Sequence, residues 1–195
     1  MIEIVAVAAD WTALQWIAKP LLAPVLIGYL LQRGRRDMVV VALCFATAGD
    51  IALLVPGEVA FLAGMLFFLG TQLCLIAAFP KPSGRACLAY GAFWVAANAM
   101  LWSKLGTLRV PVLVYSLTLT AMAAAAAGVS RRVAVGGALF LVSDLLIGVG
   151  AAGVRLPAHD VLVMVTYAAA LGLIATGWTR ACERGPSPAG QKAPV

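Results

Sequence analysis

Met38-Val39-Val40-Val41-Ala42-Leu43-Cys44-Phe45-Ala46-Thr47-Ala48-Gly49-Asp50-Ile51-Ala52-Leu53-Leu54 is a single apolar run with one carboxylate inside it. A strand of a membrane barrel would alternate polar and apolar residues over ~10 positions. This run is continuously apolar and approaches the ~20 residues a helix needs to cross a bilayer. It continues to about residue 56, and runs of the same character lie on both sides, at roughly 18–32, 59–79, 86–102, 110–128, 133–150 and 160–179. Turn chemistry separates them, as at Arg33-Gly34-Arg35-Arg36-Asp37, Pro56-Gly57-Glu58 and Pro80-Lys81-Pro82-Ser83-Gly84. Asp160, after His159, has the chemistry of an N-cap region for the last helix. The pattern predicts an all-α, polytopic transmembrane bundle. Residues 1–17, short and carrying Glu3 and Asp10, are a candidate further helix, so eight helices are expected and seven is the alternative.

Composition supports that class. Of 195 residues, 63% are hydrophobic and only 11% charged, against about 25% charged in soluble domains. No polar stretch is long enough for a second domain, so residues 1–183 are read as one membrane domain. The Pro/Gly/Ser-rich segment 184–195 reads as a disordered tail. A net charge of +6 would suit nucleic acid, but the basic residues sit between the apolar runs, so no nucleic-acid partner is expected. Ten of them (Arg33, Arg35, Arg36, Lys81, Arg85, Arg131, Arg132, Arg180, Arg184, Lys192) fall on one face and four (Lys19, Lys104, Arg109, Arg155) on the other. The positive-inside rule then makes the C-terminus cytoplasmic, in what reads as a bacterial plasma membrane. Cys44, Cys74, Cys87 and Cys182 show no metal spacing, and no HExxH, GxSxG or glycine-rich phosphate loop occurs. No metal or cofactor is expected. The start, Met1-Ile2-Glu3-Ile4, lacks the basic region of a cleaved signal peptide.

A second lone carboxylate, Asp144, lies in Leu139-Phe140-Leu141-Val142-Ser143-Asp144-Leu145-Leu146-Ile147-Gly148. An unpaired carboxylate at mid-bilayer costs at least a few kcal/mol. Both acids follow a basic loop, and each of their spans follows a helix with Pro near its start, Lys19-Pro20 and Val110-Pro111. This reads as a weak parallel internal repeat. At ~1.5 Å per residue both acids lie ~17–18 Å from the basic face, at one level of the membrane. Tyr115 and Tyr167 approach that level from the other side, and Lys19 starts its run there and can snorkel or pair with an acid. Ala46, Gly49, Gly137 and Gly148 permit close helix packing beside the acids. A polar pocket opening toward the external leaflet is expected.

Structural readings stand beside these. Each Asp can simply hydrogen-bond a neighbouring helix, Lys19 can be an interfacial anchor, and Tyr115 and Tyr167 belt or packing residues. Gln72 and Asn98 can be interhelical glue. His159 reads as an exposed loop residue, and Trp11, Trp16, Trp94, Trp102 and Trp178 as mostly interface anchors.

In order and spacing the chain resembles the YhhN-like family of polytopic membrane proteins, which includes lysoplasmalogenases. The matching pieces are Lys19-Pro20-Leu21-Leu22, Gly49-Asp50 with Leu53-Leu54, Gly64-Met65 through Ala77-Ala78-Phe79, and Pro111-Val112-Leu113-Val114-Tyr115 with Met122. Gly137-Ala138-Leu139-Phe140 through Ser143-Asp144 and Thr166-Tyr167 complete them. The chain departs from the family pattern at Gln72 and Leu75, where a His and a Tyr are frequent, and at Ala168 and Leu171 in the last span.

The resemblance implies hydrolysis of the vinyl-ether bond of a lysoplasmalogen, a lysophospholipid taken from the membrane. Asp50 and Asp144 would be the catalytic pair, and Lys19, Tyr115, Tyr167 and Gln72 the substrate-binding residues. Two buried carboxyls suit that chemistry, since one must be protonated and the other ionised, as in a glycosidase. Asp144 is taken as the acid and Asp50 as the ionised partner, because Asp50 belongs to the half carrying Lys19; the reverse assignment is the alternative. A proton-coupled transporter, a lipid-binding membrane protein or an inactive family member are the alternatives.

Overall fold

The computed structural model describes residues 12–103, 106, 109–151, 153–154 and 157–184, with side chains from Leu21 onward except that of Ala151. Among them are seven helices: α1 (Thr12–Gln32), α2 (Met38–Leu54), α3 (Glu58–Ala78), α4 (Gly84–Leu101), α5 (Arg109–Ala126), α6 (Arg131–Ala151) and α7 (His159–Glu183). Their ends follow local chemistry. Asp37 caps α2, its Oδ1 accepting the Val39 N–H at 3.1 Å. Ser83 caps α4 by accepting from Ala86, and the Ser130 hydroxyl accepts from Val133 at the start of α6. Gly57, with φ of 125°, turns the chain into α3 in a backbone region that L side chains rarely adopt.

α3, α5, α6 and α7 are long and apolar enough to cross a membrane, while α2 and the Leu21–Gln32 part of α1 are apolar but shorter. Large apolar side chains point outward, among them Val59, Leu66, Leu88 and Met100. Such a surface suits lipid, not water. The protein is a multi-pass integral membrane protein.

Packing closes six of the helices into a ring. α1 packs on α2, α2 on α3, α3 on α5, α5 on α6, α6 on α7, and α7 returns to α1. The triplets α1–α2–α3 and α5–α6–α7 therefore pack in the same order, the arrangement a parallel internal repeat would give. α4 has no counterpart. It leans on α5 from outside the ring, and Asn98 is its one buried residue.

The tightest joints are glycines. A Cβ at Gly64 would come within 2.6 Å of Leu53, and one at Gly137 within 2.7 Å of Ala126. The core they seal includes Phe68, Met122, Phe140 and Ile174.

One end of the bundle is tied by polar contacts. Arg33 pairs with Glu183 at 2.9 Å, and the Trp178 indole N–H donates to Asp37 Oδ2 at 2.8 Å. The Trp178 ring packs on Phe79 at 5.6 Å between centroids. The basic residues of the loops before α2, α4 and α6, and at the end of α7, gather at this basic end. Asp37→Ala removes a cap and the Trp178 acceptor together. A loss of about 1–2 kcal/mol is expected, read as a lower midpoint of thermal unfolding in detergent.

Three expectations are corrected. The helix count among the described residues is seven, not eight: residues 12–17 belong to α1, which runs unbroken through Lys19-Pro20, and residues 1–11 lie outside the described residues. Pro20 does not divide it, because Pro in the body of this helix is tolerated in a membrane setting. Asp160 lies in the first turn of α7, and the N-cap is Ala158, in a left-handed conformation with φ of 54°. His159 is buried, not exposed, because Gly150 leaves a slot where a Cβ would sit 2.8 Å from His159 Nε2. The tail beyond Arg184 lies outside the described residues.

Candidate functional site

Among the described polar groups of the ring interior are two carboxyl–phenol pairs. Asp144 on α6 accepts a hydrogen bond at Oδ2 from the Tyr115 hydroxyl on α5. Asp50 on α2 accepts at Oδ2 from the Tyr167 hydroxyl on α7, at 2.8 Å. At ~1.5 Å per residue Asp50 lies ~18 Å and Asp144 ~20 Å along their helices from the basic end, so the acids share a level. The Tyr167 hydroxyl lies within electrostatic reach of both carboxyls.

The two pairs meet different surroundings. Asp144 and Tyr115 line a cavity of about 90 Å³ enclosed by α2, α3, α4, α5 and α6. Its walls are largely apolar, with Phe61, Met65, Phe93 and Leu145 among them. Asp50 is 1% exposed and is not among the lining residues. Phe68 is the partition. It lines the cavity, and its ring packs edge-on against Tyr167 (5.8 Å) and Phe140 (6.2 Å). It sits so close to Gly49 that a Cβ there would be 2.8 Å from its ring. Gly49 thus makes room for the wall that separates Asp50 from the cavity.

A polar cluster on α4 and α5 faces the same cavity. The Trp94 indole N–H donates to Ser116 Oγ at 3.0 Å, and Asn98 Nδ2 donates to Ser116 Oγ at 3.2 Å and to the Trp94 carbonyl at 2.9 Å. The two bonds to Ser116 hold α4 to the ring. Gln72 is fully buried on α3. Its Oε1 accepts from Thr118 Oγ1 at 2.7 Å, and its amide faces Tyr115 without completing a hydrogen bond. An unmade buried donor costs about 1–3 kcal/mol.

Of the residues singled out from the sequence, Asp144, Tyr115 and, through its amide, Gln72 come together. Asp50 and Tyr167 form a separate pair behind Phe68. Lys19 is placed in α1, but its side chain lies outside the described residues. Trp94 is no interface anchor: it stands in the middle of α4 as a hydrogen-bond donor. Trp94, Ser116 and Phe68 carry no sequence signal beyond their residue type. Asn98, a lone amide in an apolar run, did mark its position. Among the described residues no group of three or more His, Cys, Asp or Glu side chains gathers at one point.

Fold and site together define a helical membrane protein with a carboxyl-bearing apolar cavity inside its bundle. The YhhN family model matches residues 14–178, and the chain belongs to that family. It is similar to the lysoplasmalogenases of Mycobacterium bovis and Mycobacterium tuberculosis, at 35% identity over 174 residues in each case. Those matches cover 81% of this chain, which spans 66% of the length of these relatives. No solved structure matches the chain.

Proposed function

We propose that the protein hydrolyses the vinyl-ether bond of a lysoplasmalogen-like lysophospholipid, releasing a fatty aldehyde and a glycerophospho-base. The observation that supports this most is a single carboxyl, Asp144, presented with a phenol partner to an apolar cavity within the membrane. Names of the similar mycobacterial proteins point the same way.

Vinyl-ether cleavage starts with transfer of a proton to the alkenyl carbon one removed from the ether oxygen. An oxocarbenium ion results. Water adds to its carbon and yields a hemiacetal, which collapses to aldehyde and alcohol; the sum is consumption of one water. Asp144 supplies the proton, and its carboxylate then stabilises the cation and recovers a proton from the incoming water. Tyr115 holds the carboxyl so that one oxygen stays free toward the cavity. The Gln72 amide supplies a donor beside that pair for the water or a glycerol oxygen. Asp50 does not touch the substrate. Bonded to Tyr167 behind Phe68, it contributes negative potential that favours the cation. By the excess of Lys and Arg, the basic end faces the cytoplasm and the acids lie nearer the external leaflet.

The test is turnover by protein purified in detergent micelles. A 1-alkenyl lysophosphatidylethanolamine should give free fatty aldehyde and glycerophosphoethanolamine. The 1-alkyl and 1-acyl analogues should remain intact, because neither forms an oxocarbenium ion on protonation at carbon. Absence of aldehyde from the alkenyl lipid, or equal cleavage of the acyl lipid, would sink the proposal.

A further inference from the structure

A second pocket lies at the basic end, between α6 and α7. It has a volume of about 430 Å³ and is formed by the start of α6 and the end of α7. Arg131 and Arg132 contribute from α6, and Arg180 and Arg184 from the last turn of α7 and its cap. Below the arginines its wall is apolar, with Val135 and Leu173.

Four guanidinium groups around one void repel each other unless something negative joins them. Among the described residues, no carboxylate joins them. Two described acids lie at this end, and both are engaged elsewhere: Glu183 pairs with Arg33, and Asp37 accepts from Val39 and Trp178. No ion pair among the described residues involves any of the four arginines. The dipole of α6 adds to the imbalance at Arg131 and Arg132, which occupy its first turn, the end that favours anions, while the C-terminal end of α7 offsets it in part at Arg180 and Arg184.

Helix packing enforces the juxtaposition. A Cβ at Gly177 would lie 2.8 Å from Val133 and 3.0 Å from the Arg132 Cβ. Only glycine there lets α7 approach closely enough to bring the two arginine pairs to one pocket.

We infer that this pocket binds the phosphate-bearing headgroup of an anionic phospholipid, with an acyl chain lying against Val135 and Leu173. Guanidinium forks match phosphate oxygens two at a time, and basic pockets between membrane helices are known acceptors of anionic headgroups. Val135 is 46% exposed on the bilayer side, so the apolar wall continues into the lipid phase. That continuity favours a lipid over a free anion. The site is separate from the Asp144 cavity and does not depend on the reaction proposed there.

The test uses detergent-solubilised protein and native mass spectrometry, with equimolar phosphatidylglycerol and phosphatidylcholine as competing lipids. Wild type should retain phosphatidylglycerol in preference. The paired variants Arg180→Gln/Arg184→Gln and Arg131→Gln/Arg132→Gln should each weaken retention about thirtyfold. Arg35→Gln/Arg36→Gln removes the same charge from the same end but outside the pocket, and should keep the lipid. Thermal midpoints in phosphatidylcholine nanodiscs check that each variant is folded. Arg180→Lys/Arg184→Lys, which keeps the charge, should recover part of the retention. Equal loss in the Arg35/Arg36 variant would reduce the effect to general surface charge and overturn the site. Wild-type retention in both pocket variants would do the same. Inorganic phosphate binding at these arginines without enrichment of phosphatidylglycerol would reassign the pocket to a free anion.

Discussion

Asp144→Asn should lower the rate of aldehyde release by about 10³-fold, in the range for losing a positioned general acid. The amide preserves shape and accepts the Tyr115 hydrogen bond, so the cavity stays intact, but it cannot deliver a proton to carbon. Asp50→Asn should cost less, because Asp50 is bonded to Tyr167 and stands behind Phe68, outside the lining of the cavity. Tyr115→Phe leaves the acid in place and loosens its aim; a fall of about tenfold is expected, as for one hydrogen bond to a charged partner. The readout is initial rate against lipid mole fraction, with thermal midpoint as the folding control. Undiminished turnover in Asp144→Asn would remove that residue from the chemistry, and a larger loss in Asp50→Asn than in Asp144→Asn would reverse their roles.

Gly136→Val should be the most damaging single change to stability. A Cβ at Gly136 would lie 2.8 Å from Ile174 Cγ1, 3.0 Å from the Ala170 carbonyl and 3.1 Å from the Ile174 backbone nitrogen. Two of those three atoms are backbone and cannot rotate away. α6 and α7 must then separate, at a cost of about 1–3 kcal/mol or more. Gly172→Ala on α7 is the control, since nothing lies within 4 Å of its Cβ position. The midpoint of thermal unfolding should drop in Gly136→Val and hold in Gly172→Ala. Catalysis should fall with it, because Asp144 is carried on the same helix two turns further on.

The helix boundaries were legible because loop chemistry and basic residues punctuate the apolar runs. The run at 38–56 became Met38–Leu54, and that at 133–150 became Arg131–Ala151. The common depth of Asp50 and Asp144 was legible too, since rise per residue is fixed. Which way each side chain faces was not. The helices are apolar nearly all round, so no polar stripe marks an outer face as it does in soluble proteins. Hence Tyr167 could be placed near the acids by depth, but its reach across the ring to Asp50 could not be read. The wall made by Phe68 depends on Gly49, a contact between residues on neighbouring helices. Burial of His159 likewise depends on Gly150, across a loop. Each is a relation between distant positions that leaves no local trace.

α4 stands outside the ring and packs mainly on α5, which has a kinetic meaning. Under the proposed function, an amphiphile in the leaflet is expected to reach the Asp144 cavity sideways past that helix, without entering water. Encounter is then two-dimensional. Rate should track the surface density of the amphiphile in the membrane, so diluting it with inert lipid slows the protein even when the amount per millilitre is held constant.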